Sequence, residues 1–174
     1  PPAPAPSAPP EPEPAPTPPP EPAPAPAPSA AALDRPWWGD SPELEAKVPS
    51  LLQAGRFAEA RALLCVGADE AAPITQFYLG IAVGGIDGEA ASCEHYERAL
   101  AVLPTLHSAR NNLIRGLLKR ATPASFAAAL AHAEASAELQ PDAAEMRYQL
   151  GVVRMHCNDL DAAADAYEGT LEID

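Results

Sequence analysis

Positive charge is scarce in this sequence. Eleven Lys and Arg residues stand against 24 Asp and Glu residues, so the formal net charge is -13. A chain with this charge is repelled by phosphate over most of its surface. The composition therefore excludes nucleic acid as an expected partner.

Long apolar runs are missing as well. The longest stretch without a charge, residues 71–86, is interrupted by Pro73, Thr75, Gln76 and three glycines. A helix that crosses a bilayer needs about 20 mostly apolar residues. We therefore predict no membrane span.

Cysteine is sparse, and its placement argues against a disulfide framework. Cys65, Cys93 and Cys157 cannot all pair within one chain, and each falls inside an apolar helical pattern. Such cysteines are typical of reduced thiols. This favours a reducing intracellular compartment, and no other feature indicates where the protein resides.

Motifs for catalysis or metal binding are also lacking. The four histidines form no HExxH pattern and are scattered over separate helical segments. The segment "GIAVGGIDG", residues 80–88, is rich in glycine like a phosphate loop, but it follows a helical pattern and lacks the Lys-Ser/Thr ending. We predict no enzyme activity, no cofactor and no metal within these residues.

Proline is abundant but unevenly distributed. Residues 1–28 contain 16 of the 23 prolines and no large apolar side chain. Such a segment cannot offset its ordering entropy, so we predict a disordered, extended Pro/Ala-rich linker over residues 1–33. Recognition by SH3 or WW domains is the alternative, but the charges here are Glu11, Glu13 and Glu21, with no Arg, Lys or Tyr beside the prolines.

An internal repeat governs the remaining sequence. The segments "FYLGIAV", "NNLIRGL" and "YQLGVVR" align on Leu79, Leu113 and Leu150, at spacings of 34 and 37 residues. An Ala-rich apolar pattern follows each of them. One helix pair cannot bury its own apolar face, so successive pairs must stack. The pattern predicts an all-α fold, an α-solenoid of helix-turn-helix repeats.

These repeats resemble the tetratricopeptide repeat (TPR), whose 34-residue signature has a Leu-Gly pair in the first helix and small, aromatic and Ala positions in the second. The middle repeat departs from the signature, with Ile114 at the Gly position and three extra residues near Thr122. The matching positions are Leu79, Gly80, Ser92, Tyr96, Ala99 and Pro104 in one repeat, Ala129, Ala133, Ser136 and Pro141 in the next, and Leu150, Gly151, Ala163 and Tyr167 in the last.

The resemblance divides the chain into five parts. These are the linker 1–33, a connector with a degenerate repeat over 34–72, and repeats over 73–106, 107–143 and 144–174, the second with the three-residue insertion and the third truncated. We expect Pro49 to kink or split the first helix. We expect the insertion to lengthen a turn, with Pro123 starting the next helix. Trp37 and Trp38 either cover the first helix pair or anchor a partner.

The resemblance also implies a concave groove lined by the first helix of each repeat. Asn112 stands where peptide-binding members of the family often carry an Asn that holds the ligand backbone. The family's carboxylate clamp is incomplete, because Phe77, Glu145 and Gln149 occupy positions where it needs basic residues. The predicted groove residues are Phe77, Tyr78, Ile81, Ser108, Asn111, Asn112, Arg115, Lys119, Tyr148, Gln149 and Val152.

The middle repeat carries a basic segment, "HSARNNLIRGLLKR", residues 107–120. Helical spacing places Arg110 and Arg120 on the solvated side and puts Arg115 and Lys119 on one stripe, which the resemblance implies faces the groove. These two charges serve either a partner with an acidic or carboxylate group or only a solvated surface.

We therefore expect a protein–protein interaction scaffold that binds a peptide or an extended partner segment in the concave groove. Two alternatives remain open. The chain can be the N-terminal recruiting region of a larger enzyme of the glycosyltransferase or hydroxylase type, or it can be a structural subunit that packs in a large assembly.

Overall fold

The structure is a computed structural model that describes residues 36–39 and 41–171. The predicted linker, residues 1–33, lies outside the described residues. The described part contains helices and turns but no strand. The helices are α1 (Leu44–Gln53), α2 (Phe57–Gly67), α3 (Pro73–Asp87), α4 (Cys93–Val102), α5 (His107–Arg120), α6 (Pro123–Leu139), α7 (Ala144–His156) and α8 (Leu160–Leu171).

The helices stack in chain order. Each helix from α1 to α7 packs against the next one, and α1 also contacts α3. This is the arrangement of stacked helix pairs that a solenoid requires, since every element contacts mainly its neighbours in sequence. The fold predicted from the repeat, an all-α solenoid of TPR-like repeats, is confirmed.

Local sequence explains where the helices begin and end. Pro73 and Pro123 occupy first-turn positions, where a missing backbone N–H costs nothing. Gly88 follows α3 with a φ of 95°, a conformation that suits glycine. At the start of α6 the Thr122 hydroxyl accepts a hydrogen bond from the Ser125 backbone N–H at 3.1 Å, and the Ser125 hydroxyl accepts one from the Thr122 N–H at 3.0 Å.

Pro49 does not split the first helix, so that part of the expectation is wrong. Pro49 lies inside α1, which continues to Gln53. The backbone N–H that Pro49 lacks would have bonded to the carbonyl of Glu45, an exposed residue, so water can satisfy that oxygen. Burial of Leu44, Val48 and Leu51 fixes the helix despite the proline.

The expectation that the insertion lengthens a turn is also wrong. Only residues 121 and 122 separate α5 from α6, whereas residues 88–92 separate α3 from α4. α6 has 17 residues against 10 in α4, because both the three extra residues and residues that form the turn in the preceding repeat are helical here. The reciprocal cap between Thr122 and Ser125 starts the helix at Pro123, so the inserted residues are helical and add less than one turn before the repeat register resumes.

The core is built from matched large and small side chains on paired helices. A Cβ atom on Gly80 would lie 2.5 Å from the Tyr96 ring, and one on Gly151 would lie 2.6 Å from the Tyr167 ring. Glycine therefore makes room for the aromatic ring in both repeats. The middle repeat reverses the sizes: Ile114 and Ala133, at the corresponding positions, are both buried in the same core cluster.

Trp37 and Trp38 pack on the first repeats. They lie against a cluster that contains the buried Leu44, Val48, Leu64 and Leu79. The centroids of the Trp37 and Tyr78 rings are 5.1 Å apart. The backbone carbonyl of Trp37 accepts hydrogen bonds from the Asp69 backbone N–H and the Thr75 hydroxyl. The two indoles thus cover the first helix pairs.

Candidate functional site

A cleft of about 310 Å³ lies between α3 and α5 and is closed at one end by α2. We call it the α3–α5 cleft. It brings three predicted groove residues, Ile81, Asn112 and Arg115, into one site. The other lining residues are Phe57, Gly84, Gly85, Glu89, Ser92 and Tyr96.

Two consecutive glycines give the cleft its apolar end. A Cβ atom on Gly85 would lie 2.3 Å from the Phe57 ring, so only glycine lets α2 approach α3 this closely. A Cβ atom on Gly84 would meet Ser92 at 3.5 Å, an ordinary contact. Gly84 therefore has room for a methyl group, and a larger side chain there would enter the cleft that Gly84 lines.

Arg115 forms a bridge across the polar end of the cleft. Its Nε is 3.1 Å from Glu89 Oε1, and its Nη2 donates a 2.9 Å hydrogen bond to Asn112 Oδ1. This bond uses the Asn112 oxygen, and the Asn112 amide also hydrogen-bonds with the Tyr96 hydroxyl, so one of its two N–H groups remains to donate outward. The charge of Arg115 is balanced locally by Glu89.

Tyr96 forms part of the floor and is only 3% exposed. Burial raises the pKa of its hydroxyl, while the polar side chains of Ser92 and Asn112 and the charge of Arg115 partly oppose this rise. The hydroxyl therefore stays neutral near pH 7. The cleft thus has a neutral floor with an ion pair at its rim.

Phe77 and Tyr78 belong to different surroundings. Their ring centroids are 5.4 Å apart, yet Phe77 packs against the core cluster that includes Tyr96, while Tyr78 packs with Trp37. Phe77 therefore lies beside the α3–α5 cleft. Tyr78 is taken up by the N-terminal cluster.

Ser108, Asn111 and Lys119 lie on α5 but do not line the cleft. Ser108 and Lys119 are exposed, and among the described residues Lys119 has no ion pair. Asn111 is half-buried, and its Oδ1 atom has no hydrogen-bond partner within the described part of the chain. Among the groove residues predicted on α5, only Asn112 and Arg115 therefore lie in the cleft and contact each other.

The remaining predicted residues lie on α7, away from the lining of the α3–α5 cleft. Tyr148 is 57% exposed, and its ring centroid is 5.6 Å from that of Tyr167. Gln149 and Val152 are half-buried, and Gln149 Oε1 is a buried acceptor without a partner in residues 41–171. These three residues lie on the first helix of the last repeat and do not line the cleft.

The prediction that Arg110 is solvated is wrong, because its side chain is buried at 6% exposure. Its Nη2 donates to the carbonyl of Pro104, six residues earlier. Gln76 donates in the same way to the carbonyl of Glu70, and Arg147 donates to that of Pro141. The position is thus a recurring cap on the preceding loop, and its polarity serves the fold. Arg120 is exposed as predicted, although its Nε also donates to the Ala90 carbonyl.

Sequence reasoning missed six lining residues, and two of them had a detectable signal. Adjacent glycines inside a helical pattern, Gly84 and Gly85, are costly for a helix and so indicate close approach or open space. Phe57 comes from the preceding repeat and gave no such signal. Glu89 and Ser92 lie at the turn before α4, where the pattern predicted only a loop and a helix start.

A second cleft, about 450 Å³, lies between α6 and α8 over α7 and contains Arg147, Arg154 and Asp165. We call it the α6–α8 cleft. In this cleft Ala166 stands where the preceding repeat has His132, and Arg154 stands where that repeat has Leu117. One nitrogen of the Arg154 guanidinium is already engaged, since its Nη1 donates a 3.1 Å hydrogen bond to the Ala162 carbonyl.

Two absences hold for the part of the chain that the structure describes. None of the helices in this part of the chain is both long and apolar enough to cross a membrane. Residues 36–39 and 41–171 also contain no group of three or more His, Cys, Asp or Glu side chains placed to hold a metal ion.

Comparison with known proteins identifies a shared fold. Neither a protein-family model nor a curated protein matches this chain. Solved structures of MamA do: MamA 41-end from Desulfovibrio magneticus RS-1 is 20% identical with a TM-score of 0.66, over 76% of this chain and 74% of that one. The MamA RS-1 ArsTM double mutant is 21% identical, with the same score and coverage. MamA AMB-1 is 24% identical with a TM-score of 0.60, over 75% of this chain and 76% of that one. The chain is therefore similar to MamA in its helical-repeat fold.

Proposed function

We propose that this protein is a protein–protein interaction scaffold that binds an extended peptide segment along the face formed by α3, α5 and α7. The observation that carries this proposal is the convergence of Ile81, Asn112 and Arg115 in one cleft between two successive first helices. A TPR-like solenoid offers such a face to partners because its repeats stack with their first helices side by side.

The chemistry of the cleft suits a peptide backbone. Asn112 keeps one amide N–H group available, since its oxygen accepts from Arg115 and its amide also hydrogen-bonds with the Tyr96 hydroxyl. A peptide backbone presents carbonyl oxygens at regular intervals, whatever its side chains are. One amide donor at the centre of the face can therefore fix an extended chain without selecting its sequence.

Lys119 supplies the charge that this face still has available. It lies one helical turn beyond Arg115 and is exposed. A partner with an acidic or carboxylate group would find its counter-charge here rather than at Arg115, which Glu89 already engages. No feature of the described residues favours the larger-enzyme or structural-subunit alternatives.

Selection from a random-peptide display library against the full chain tests the proposal. Binding of the selected peptides is then compared for the wild type, Asn112→Ala and Lys119→Glu, with Lys47→Glu as a matched control because Lys47 is an exposed lysine on α1. Loss of one hydrogen bond of about 0.5–1.5 kcal/mol predicts about 2- to 12-fold weaker binding for Asn112→Ala. Circular dichroism checks that each variant is folded.

The control variant should bind like the wild type. Lys119→Glu should weaken only those selected peptides that carry an acidic residue, and more so at low salt. Selected peptides that bind Asn112→Ala and Lys119→Glu as tightly as the wild type would show that this face is not the binding site.

A further inference from the structure

We propose that the α3–α5 cleft takes one neutral apolar side chain of the peptide, aromatic or branched aliphatic, as its anchor residue. This inference rests on the proposed function and names the class of ligand that the same face selects. It concerns the nine residues that line the cleft.

The shape of the cleft fits a single side chain. Its volume of about 310 Å³ is at the lower end of the range for pockets that enclose a small ligand, roughly 300–1,000 Å³. Phe57 and Ile81 supply apolar walls, and Gly84, which also lines the cleft, adds no side chain to it. Burial of an apolar group in such a space is favourable in proportion to the area removed from water.

The charges of the cleft favour a neutral group. Glu89 and Arg115 form an ion pair at 3.1 Å, and no other lining residue carries a charge near pH 7. A ligand carboxylate would compete with Glu89 for Arg115, and a ligand cation would compete with Arg115 for Glu89. A neutral side chain leaves the pair intact.

The hydrogen-bonding groups complete the match. One amide N–H group of Asn112 is left to donate, since the Asn112 oxygen accepts from Arg115 and the amide also hydrogen-bonds with the Tyr96 hydroxyl. The Ser92 hydroxyl donates into the protein, to the Glu89 carbonyl at 2.7 Å. The group that fits beside the anchor is therefore a hydrogen-bond acceptor, which the backbone carbonyl of the anchor residue provides.

Four single-residue probes test this inference on the isotope-labelled full chain by NMR titration. They are N-acetyl-phenylalaninamide, N-acetyl-leucinamide, N-acetyl-glutamic acid amide and N-acetyl-lysinamide, which share a backbone and differ in the side chain. We expect the two apolar probes to bind in about the millimolar range, as their small size allows. They should shift the backbone amides of Gly84 and Gly85, and binding should change little with salt.

Gly84→Leu fills the cleft and should weaken binding of the apolar probes by at least about tenfold, the lower end of the effect of one methylene in an apolar pocket. Ala131→Leu, which adds a leucine at an exposed position of α6, is the matched control and should leave binding unchanged. Gly84→Ala, whose Cβ makes only an ordinary contact, gives a second variant with a smaller loss if Gly84→Leu does not fold.

Tighter binding of either charged probe, or equal binding of the apolar probes to wild type and Gly84→Ala, would overturn the anchor inference. The proposed function fails separately, when library-selected peptides do not respond to changes at Asn112 and Lys119. Selected peptides that respond to those changes but show no apolar residue in common would retain the groove and refute the anchor.

Discussion

The packing of Gly80 against Tyr96 predicts that the effect of Gly80→Ala on the free energy of unfolding changes sign when Tyr96 is removed. A Cβ atom on Gly80 would lie 2.5, 2.8 and 2.9 Å from three atoms of the Tyr96 ring. The ring is 3% exposed and belongs to the main core cluster, so it cannot move aside without disturbing its neighbours. Overpacking of this kind costs about 1–3 kcal/mol.

Replacing Gly by Ala in a helix interior also stabilises the helix, by about 1 kcal/mol. In the wild-type background the clash should exceed this gain, so Gly80→Ala should lower the free energy of unfolding by up to about 2 kcal/mol. In a Tyr96→Ala background the clash is gone, and the same substitution should raise the free energy of unfolding by about 1 kcal/mol.

Urea unfolding followed by circular dichroism measures all four proteins of this cycle. Gly84→Ala is the matched control, since its Cβ meets Ser92 at 3.5 Å and should stabilise in either background. Gly151 and Tyr167 repeat the geometry at 2.6 Å and provide a second cycle near the other end of the solenoid. An effect of Gly80→Ala that is equal in both backgrounds would refute the packing argument.

Three further predictions concern helix capping, the recurring loop cap and pH. Thr122→Ala removes the acceptor for the Ser125 N–H and should cost about 0.5–2 kcal/mol in urea unfolding, whereas Thr105→Ala, at an exposed turn, should cost little. Arg110→Gln should retain the bond to the Pro104 carbonyl, as Gln76 does to Glu70, so a melting temperature that falls as far as in Arg110→Leu would contradict this role. Burial is the main cause that lowers the pKa of His95 and of His132, with the charge of Arg110 adding to it at His132. Below about pH 6.5 the unfolded chain therefore binds more protons than the folded one. The urea concentration at the unfolding midpoint should decrease as the pH is lowered below about 6.5, and it should decrease less in His132→Gln.

The solenoid could be predicted from the sequence because the residues that repeat along the chain are the ones that form the core. The repeats align on Leu79, Leu113 and Leu150, and all three are buried. Helical spacing misplaced Arg110, because periodicity assigns a charged side chain to solvent unless a specific partner is known. That partner, the Pro104 carbonyl, lies in the preceding loop, whose geometry no helical period describes.

The candidate site was predictable only in part, for a similar reason. Asn112 and Arg115 come from one helix, and their proximity follows from the spacing of three residues. Phe57 and Glu89 reach the cleft from a neighbouring repeat and from a turn, so their positions depend on how the repeats stack. The ion pair with Glu89 also changes the interpretation of Arg115. The sequence predicted a free charge for an acidic partner, whereas the structure shows a charge that Glu89 already neutralises at the rim of the cleft.

The most direct test of the proposed groove is to map where a library-selected peptide contacts the isotope-labelled full chain, by NMR shifts of the backbone amides. The proposal predicts that the largest shifts fall at Gly84, Gly85, Asn112 and Arg115, with smaller ones along α7. Shifts centred instead on Arg147, Arg154 and Asp165 would place the ligand in the α6–α8 cleft and contradict it.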